Sequence, residues 1–130
     1  SVTQRIEYWK CAIGIIKQNG WLGVGTGDVE AAYNEQYRQM NSGLAPEWRL
    51  HPHNQFLSFG VAFGAAGLVW FLFALAYPVI HEKKTADYFF MMFFIIALFS
   101  FINEDTLETQ AGASFFAFFY CLFLWKPSLE

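Results

Sequence analysis

The sequence predicts an all-α integral membrane protein, in which an external amphipathic helical segment precedes three transmembrane helices. Three observations indicate this fold class. The chain is 55% apolar and 21% aromatic, and only 15% of its 130 residues are charged. All sixteen phenylalanines lie between Phe56 and Phe123, whereas the first 52 residues hold ten of the nineteen charges. Soluble domains have roughly 25% charged residues, spread along the chain. The composition therefore divides this chain near residue 52.

The same composition excludes three classes of protein. Disordered chains combine low hydrophobicity with high charge, which is the opposite of this pattern. Nucleic-acid binding needs a basic patch, and no positive run exceeds the adjacent Lys83 and Lys84, so we expect no nucleic-acid partner. Cys11 and Cys121 are the only thiols, too few for a disulfide scaffold.

Three uncharged runs predict the transmembrane helices, at about residues 54–80, 87–103 and 109–126. The apolar residues Phe56 to Ile80 would reach about 37 Å as a helix, enough for a hydrocarbon core of about 30 Å. The other two runs are shorter and need flanking polar residues at the headgroups. The alternative, a helical hairpin buried in a soluble core, would need partner surface that so short a chain lacks.

The connections between these runs predict the orientation. Two lysines lie between His81 and Asp87 and Lys126 follows the last run, whereas residues 103–110 hold three acids and no base. The positive-inside rule places the lysines in the cytoplasm and residues 1–52 outside. We therefore divide the chain into an external segment, 1–52, and part of a membrane domain, 53–130. The chain begins at Ser1 without a signal peptide, so we expect a fragment of a larger membrane protein.

The external segment contains two predicted helices joined by a glycine-rich turn. Residues Val2 to Asn19 form the first, and Asp28 caps a second that ends near Met40. Helical spacing predicts one shared face on the first helix, made of Arg5, Trp9, Ala12, Ile13 and Ile16. Residues 20–27 contain four glycines but no Gly-Lys-Ser/Thr, so a tight turn is favoured over a nucleotide-binding loop.

The most informative stretch precedes the first transmembrane helix. Pro52 fits the first position of a helix, which would put His53 in its first turn. On a continuous helix His53, Gly60, Gly64 and Gly67 would lie within roughly 60° of one another, and the glycines would let another helix approach closely. A neutral imidazole can take a proton from a hydroxyl, and a helix start attracts phosphate.

Two alternatives to a catalytic His53 stay open on spacing alone. The imidazole could simply cap the helix or sit at the membrane interface. His51 and His53 could also share a metal ion, but two histidines without a third ligand make an incomplete site. We therefore expect no metal.

These residues resemble the O-antigen ligase and O-antigen polymerase superfamily of bacterial envelope glycosyltransferases. Its hallmark is a histidine followed by Asn, Ser or Gln at the outer end of a span, then nine residues, Gly, two residues and a small residue. Here the pattern is met by His53-Asn54, the nine residues 55–63, Gly64 and Gly67.

The resemblance extends upstream, where the family carries an Arg four residues before an aromatic residue and then a Gly-x-Gly turn. Arg5 and Trp9 match the first feature, and residues 23–27 match the second. The similarity covers the chain from Arg5 to about Tyr77.

The resemblance implies a many-spanning enzyme of the bacterial inner (cytoplasmic) membrane that acts in lipopolysaccharide biosynthesis. Its donor would be an undecaprenyl-diphosphate-linked glycan, and its acceptor a hydroxyl of the lipid-A core or of a growing glycan. The enzyme would be in contact with membrane lipids and would use no cofactor. Residues 1–52 would face the periplasm. The chain would be one external loop and the last three spans, inactive without the remaining spans.

The resemblance also implies roles for individual residues. His53 would be the general base, and Arg5 would bind the diphosphate. Weaker candidates for substrate binding are Arg49, Asn54 and His51. The acids Glu104, Asp105 and Glu108 have no assigned role, since they could bind acceptor hydroxyls or form a solvated acidic turn. A non-enzymatic membrane transport or assembly component, with glycines that serve helix packing, is the alternative function.

Overall fold

The computed structural model describes residues 2–81 and 84–125, and over this part of the chain the protein is helical without strands. The five α-helices are α1 Val2–Gln18, α2 Val29–Gln39, α3 Gln55–Ile80, α4 Tyr88–Asn103 and α5 Gln110–Trp125. Short 3-10 turns lie at Pro46–Trp48, Lys84–Ala86 and Thr106–Glu108. The predicted all-α class is confirmed, and each helix lies close to its predicted bounds.

The lysines behind the predicted orientation are not described. Lys83, Lys126 and the side chain of Lys84 lie outside the described part of the chain. The orientation therefore stays a prediction.

Only α3, of the helices within residues 2–81 and 84–125, is long and apolar enough to cross a bilayer by length and composition. It has 26 residues, whereas α4 and α5 are apolar but have 16 each. Large apolar side chains point outwards from all three helices, among them Trp70, Phe99 and Phe118. Helix α3 is thus a candidate span by length and composition, and membrane crossing by α4 and α5 stays a prediction.

The first core lies where α1, α2 and α3 meet. Its buried side chains are Tyr8, Cys11, Ala12, Ile15, Tyr33, Tyr37 and Val61. The predicted face of α1 is therefore partly wrong, since Ile13 is 43% exposed while Tyr8 and Cys11 are buried. The face is rotated because α1 is covered by α2 on one side and by α3 on the other.

The second core joins α3 to α4 and is mainly aromatic. Phe71 and Leu75 of α3 pack against Ala97 and Phe101 of α4. Phe59 stacks on Phe71 with ring centroids 4.4 Å apart. Aromatic pairs of this kind contribute about 0.5–1.5 kcal/mol beyond the area they bury, so the phenylalanine-rich sequence has a packing role.

Helix α3 is interrupted at Gly64, which has φ 65° and ψ −162°. An unbroken helix would bond Ala65 N to the carbonyl of Val61, and Ala66 N to that of Ala62. Here the loop after α1 takes over those four groups. The bonds are Ala65 N to Gly20 O (2.9 Å), Ala66 N to Trp21 O (3.2 Å), Val24 N to Val61 O (2.9 Å) and Gly25 N to Ala62 O (2.9 Å). The helix is therefore broken without leaving these four main-chain groups unpaired.

The predicted glycine stripe is wrong as a continuous helical face. Gly64 is not helical, and His53 precedes the helix. Gly60 does meet another helix, since a Cβ there would lie 2.8 Å from Ile16 Cδ1 of α1. The glycine-rich turn itself is confirmed, with φ of 70° at Gly23 and 82° at Gly25.

Candidate active site

The site begins where the chain enters α3. Asn54 is the N-cap residue, and its side-chain oxygen accepts a hydrogen bond from Leu57 N at 3.0 Å. Pro52 and His53 therefore precede the helix, and His53 adopts a left-handed conformation with φ 48°. The prediction that Pro52 starts the helix and His53 lies in its first turn is wrong. The physical reason is that asparagine is among the strongest N-cap residues, so the helix starts after it.

A hydrogen-bonded network ties this helix start to the segment that follows α4. Asp105 Oδ1 accepts from Asn54 N at 2.9 Å and from Ser58 Oγ at 2.8 Å. Asn54 Nδ2 donates to Ile102 O at 2.9 Å, and Gln55 Oε1 accepts from Leu107 N at 2.6 Å. Both the oxygen and the nitrogen of the Asn54 side-chain amide are hydrogen-bonded. Asn54 therefore holds the end of α4 close to His53.

His53 lies beside a carboxylate at the surface. Its Nδ1 is 3.2 Å from Glu104 Oε2, and its side chain is 38% exposed. The ring of Tyr8 in α1 lies 6.3 Å away, centroid to centroid. Trp9 Nε1 donates to the carbonyl of Pro52 at 3.0 Å, so α1 supports the backbone that carries the imidazole.

Arg5 reaches the same carboxylate from α1. One of its guanidinium nitrogens donates to Asn103 O at 2.9 Å and lies 3.7 Å from Glu104 Oε1. Arg5, His53 and Glu104 line one open groove of about 520 Å³, together with Tyr8, Trp48 and Leu50. The structure thus brings Arg5 and His53 together, with Glu104 between them.

Two other predicted residues have different surroundings. Arg49 Nε donates to Leu44 O at 3.1 Å, and its guanidinium lies 6.0 Å from the centre of the Tyr37 ring. His51 stacks on Tyr33 with ring centroids 5.0 Å apart. In the described residues, no group of three or more His, Cys, Asp and Glu side chains is arranged to hold a metal ion.

The acids after α4 differ in environment. Glu104 is exposed, whereas Asp105 is half-buried in the network at the start of α3. Loss of hydration, and then the neighbouring Asp105, raises the pKa of Glu108. No role could be assigned to these three acids from the sequence, because their spacing along the chain does not show which residues they contact. The partner of Glu104, for example, is His53, which lies 51 positions earlier.

The family model described as O-antigen ligase (Wzy_C) matches residues 1–72, more than half of the 130 residues. The chain belongs to the O-antigen ligase family. The resemblance found in the sequence is confirmed at this level. This family is membrane-associated in bacteria, and membership indicates glycan transfer with lipid-linked and lipopolysaccharide-type substrates in general. The matched region includes Arg5, His53 and Asn54, but Glu104 lies beyond it. No curated protein sequence and no solved structure gives a significant match.

Proposed function

We propose that the protein is part of a membrane glycosyltransferase that moves a glycan from an undecaprenyl-diphosphate carrier to a sugar hydroxyl. The observation that carries this proposal is the groove in which a guanidinium and an imidazole share one carboxylate, in a chain of the O-antigen ligase family. The imidazole suits the acceptor hydroxyl, which must lose a proton, and the guanidinium suits the leaving diphosphate, which gains negative charge.

His53 would act as the general base. When Nδ1–H donates to Glu104, Nε2 carries the lone pair that accepts the proton of the acceptor hydroxyl. The hydroxyl oxygen then attacks the anomeric carbon, and the bond from that carbon to the diphosphate oxygen breaks with inversion. Glu104 orients the ring and stabilises the imidazolium that forms, as a positioning residue.

Arg5 would stabilise the leaving diphosphate, which takes the electron pair of the broken bond. A guanidinium has five N–H donors, so Arg5 keeps donors beyond those that face Asn103 and Glu104. Paired N–H donors match two phosphate oxygens, and such charge-assisted bonds strengthen as negative charge grows. Arg49 is left out of this scheme, because it does not line the groove that contains Arg5 and His53.

The same proposal places α3, α4 and α5 across the bacterial inner membrane, with α1 and α2 on the periplasmic side. Its support is the row of exposed apolar side chains on these helices, including Val69, Ile96 and Phe115. Such continuous apolar surface is unfavourable in water. The connection after α4, which carries the acids, then lies at the periplasmic surface beside His53.

The test is a His53→Ala substitution in the full-length protein, assayed by transfer of a lipid-linked glycan in vitro. A general base contributes about 10²- to 10⁴-fold, so we expect at least about a 100-fold loss of rate. His81→Ala is the matched control, because His81 follows the opposite end of α3. Near-normal transfer by His53→Ala would refute the general-base role, whereas no transfer by the wild-type protein would favour the non-enzymatic alternative.

A further inference from the structure

A second cleft lies at the start of α3. It has a volume of about 510 Å³ and is bordered by α2, the start of α3 and the turn at residues 106–108. This volume is in the range of small-molecule sites, about 300–1,000 Å³. Its polar walls include Tyr33, His51, Gln55 and Glu108, and its apolar walls include Phe59 and Phe63.

Two buried polar groups in this wall have no hydrogen-bond partner. They are the hydroxyl of Tyr33, which is 3% exposed, and the amide nitrogen of Gln55, which is fully buried. The other amide atom of Gln55 accepts from Leu107 N, which fixes the amide in place. Native proteins pair nearly all buried polar groups, because an unpaired one is costly. Tyr33 and Gln55 both line the cleft, so a ligand bound there could supply these partners.

The charges of the cleft argue against an anionic ligand. Glu30 and Glu108 line it, and neither lysine nor arginine is among the described residues of its wall. A diphosphate would meet repulsion here, unlike in the groove that contains Arg5. A ligand with several hydroxyls suits the hydroxyl of Tyr33 and the amide of Gln55, and its C–H surface suits Phe59 and Phe63.

The cleft also adjoins the reacting groups. His51 and Glu108 line it, and they also line an opening of about 630 Å³ that includes His53 and Glu104. The cleft and this opening therefore share part of their walls, and the imidazole of His53 lies in the wall of the opening.

We infer that the cleft at Tyr33 and Gln55 binds an uncharged sugar ring of one of the two glycans that the enzyme joins. This inference rests on the proposed function and gives it a sugar site distinct from the diphosphate groove. Tyr33 and Gln55 donate hydrogen bonds to ring hydroxyls, and Phe59 and Phe63 cover an apolar face of the ring.

The decisive variant is Tyr33→Phe in the full-length protein in lipid nanodiscs. It removes only a hydroxyl that has no protein partner, so the melting temperature should not fall. The KM for one glycan substrate should rise about tenfold while kcat stays unchanged, which corresponds to one lost hydrogen bond. A rise for the acceptor or for the carrier-linked donor identifies which glycan supplies the ring. An unchanged KM for both would overturn the inference.

Tyr37→Phe is the matched control. The Tyr37 hydroxyl donates to Leu50 O at 2.7 Å and does not line the cleft. This variant should lower the melting temperature and leave both KM values unchanged. Equal KM effects from the two variants would show a general packing effect and refute the sugar site.

Direct binding separates this inference from the proposed function. Two phosphate-free probes, a dephosphorylated core oligosaccharide and a free repeat-unit oligosaccharide, are titrated into the full-length His53→Ala variant by calorimetry. Binding of either probe, weakened about tenfold by an added Tyr33→Phe change, supports the site even if His53 proves non-catalytic. Binding of neither probe would overturn it, and so would competition by inorganic pyrophosphate, because the cleft would then hold an anion.

Discussion

Gly23 and Gly64 lie backbone against backbone, so that a Cβ on either residue would come within 2.5 Å of the other's main-chain nitrogen. Both residues have positive φ, 70° and 65°. The contact lets the loop after α1 bond to the interrupted part of α3. The contact therefore needs glycine at both positions. A side chain would block the close approach of the two backbones, and both residues have a positive φ that favours glycine.

Gly23→Ala should destabilise the protein strongly. The alanine would bring backbone strain of about 1–2 kcal/mol. It would also push the loop away from α3, so the total loss should exceed about 3 kcal/mol. Thermal unfolding in detergent measures it. Gly25→Ala separates the two causes, since its φ is 82° but nothing lies within 4 Å of the added carbon. Gly43→Ala, also with open space, should be close to neutral. An equal loss for Gly23→Ala and Gly25→Ala would contradict the tight contact.

Arg5→Lys should reduce glycan transfer nearly as much as Arg5→Ala. Lysine keeps the charge but lacks the planar pair of donors that binds a phosphate through two bonds. We expect a loss of at least about tenfold in kcat, corresponding to about 1.4 kcal/mol, in the in vitro assay. Lys10→Ala is the control, since Lys10 pairs with Glu7 on the exposed side of α1. Full activity with Arg5→Lys would reduce the role of Arg5 to a simple charge.

Glu104→Ala should lower kcat without changing thermal stability. The side chain is 61% exposed and contacts only Arg5 and His53 in the described ion pairs, so its loss removes orientation and not packing. Glu104→Gln should retain more activity, because an amide oxygen still accepts from Nδ1–H. Glu35→Ala, which breaks an exposed pair with Arg38, is the control. Equal kcat values for the wild type and Glu104→Ala would exclude the positioning role.

Cys11 should be inert to thiol reagents while the protein is folded. Burial raises its pKa from 9.0 to about 12, so at pH 8 about one thiolate in 10⁴ is present. Between these values the unfolded chain loses the thiol proton and the folded chain keeps it, so this group lowers stability as pH rises from about 9 to 12. Maleimide labelling in a Cys121→Ser background, with and without denaturant, tests the reactivity. Rapid labelling of the folded protein at pH 8 would contradict the buried position.

The helices could be predicted from sequence because their signals are local. Apolar runs predict α3, α4 and α5, and the glycine-rich turn separates α1 from α2. The predicted position of His53 was wrong because both Pro52 and Asn54 are residues that favour a helix start. Asn54 becomes the N-cap residue, and its main-chain N–H donates to Asp105, which lies 51 positions later in the sequence. Local patterns hold no information about such a partner.

The break at Gly64 shows the same limit. Nine regular residues precede it and an apolar helix follows, so periodicity predicts one continuous helix. The interruption exists because the loop at Gly20 to Gly25 supplies replacement hydrogen bonds. The candidate site was therefore predictable in its residue types, Arg5 and His53, but not in the carboxylate that joins them.

The groove that contains Arg5 and His53 also needs Glu104, so it can form only late in biosynthesis. Translation produces the amino-terminal part first. Arg5 and His53 leave the ribosome well before the end of α4, which lies 98 residues after Arg5. Until that connection is made, both side chains lack the carboxylate of Glu104, and Arg5 lacks the carbonyl of Asn103. A partly synthesised chain therefore holds Arg5 and His53 without their shared partner, and the candidate site is complete only when α4 and the connection after it have been made.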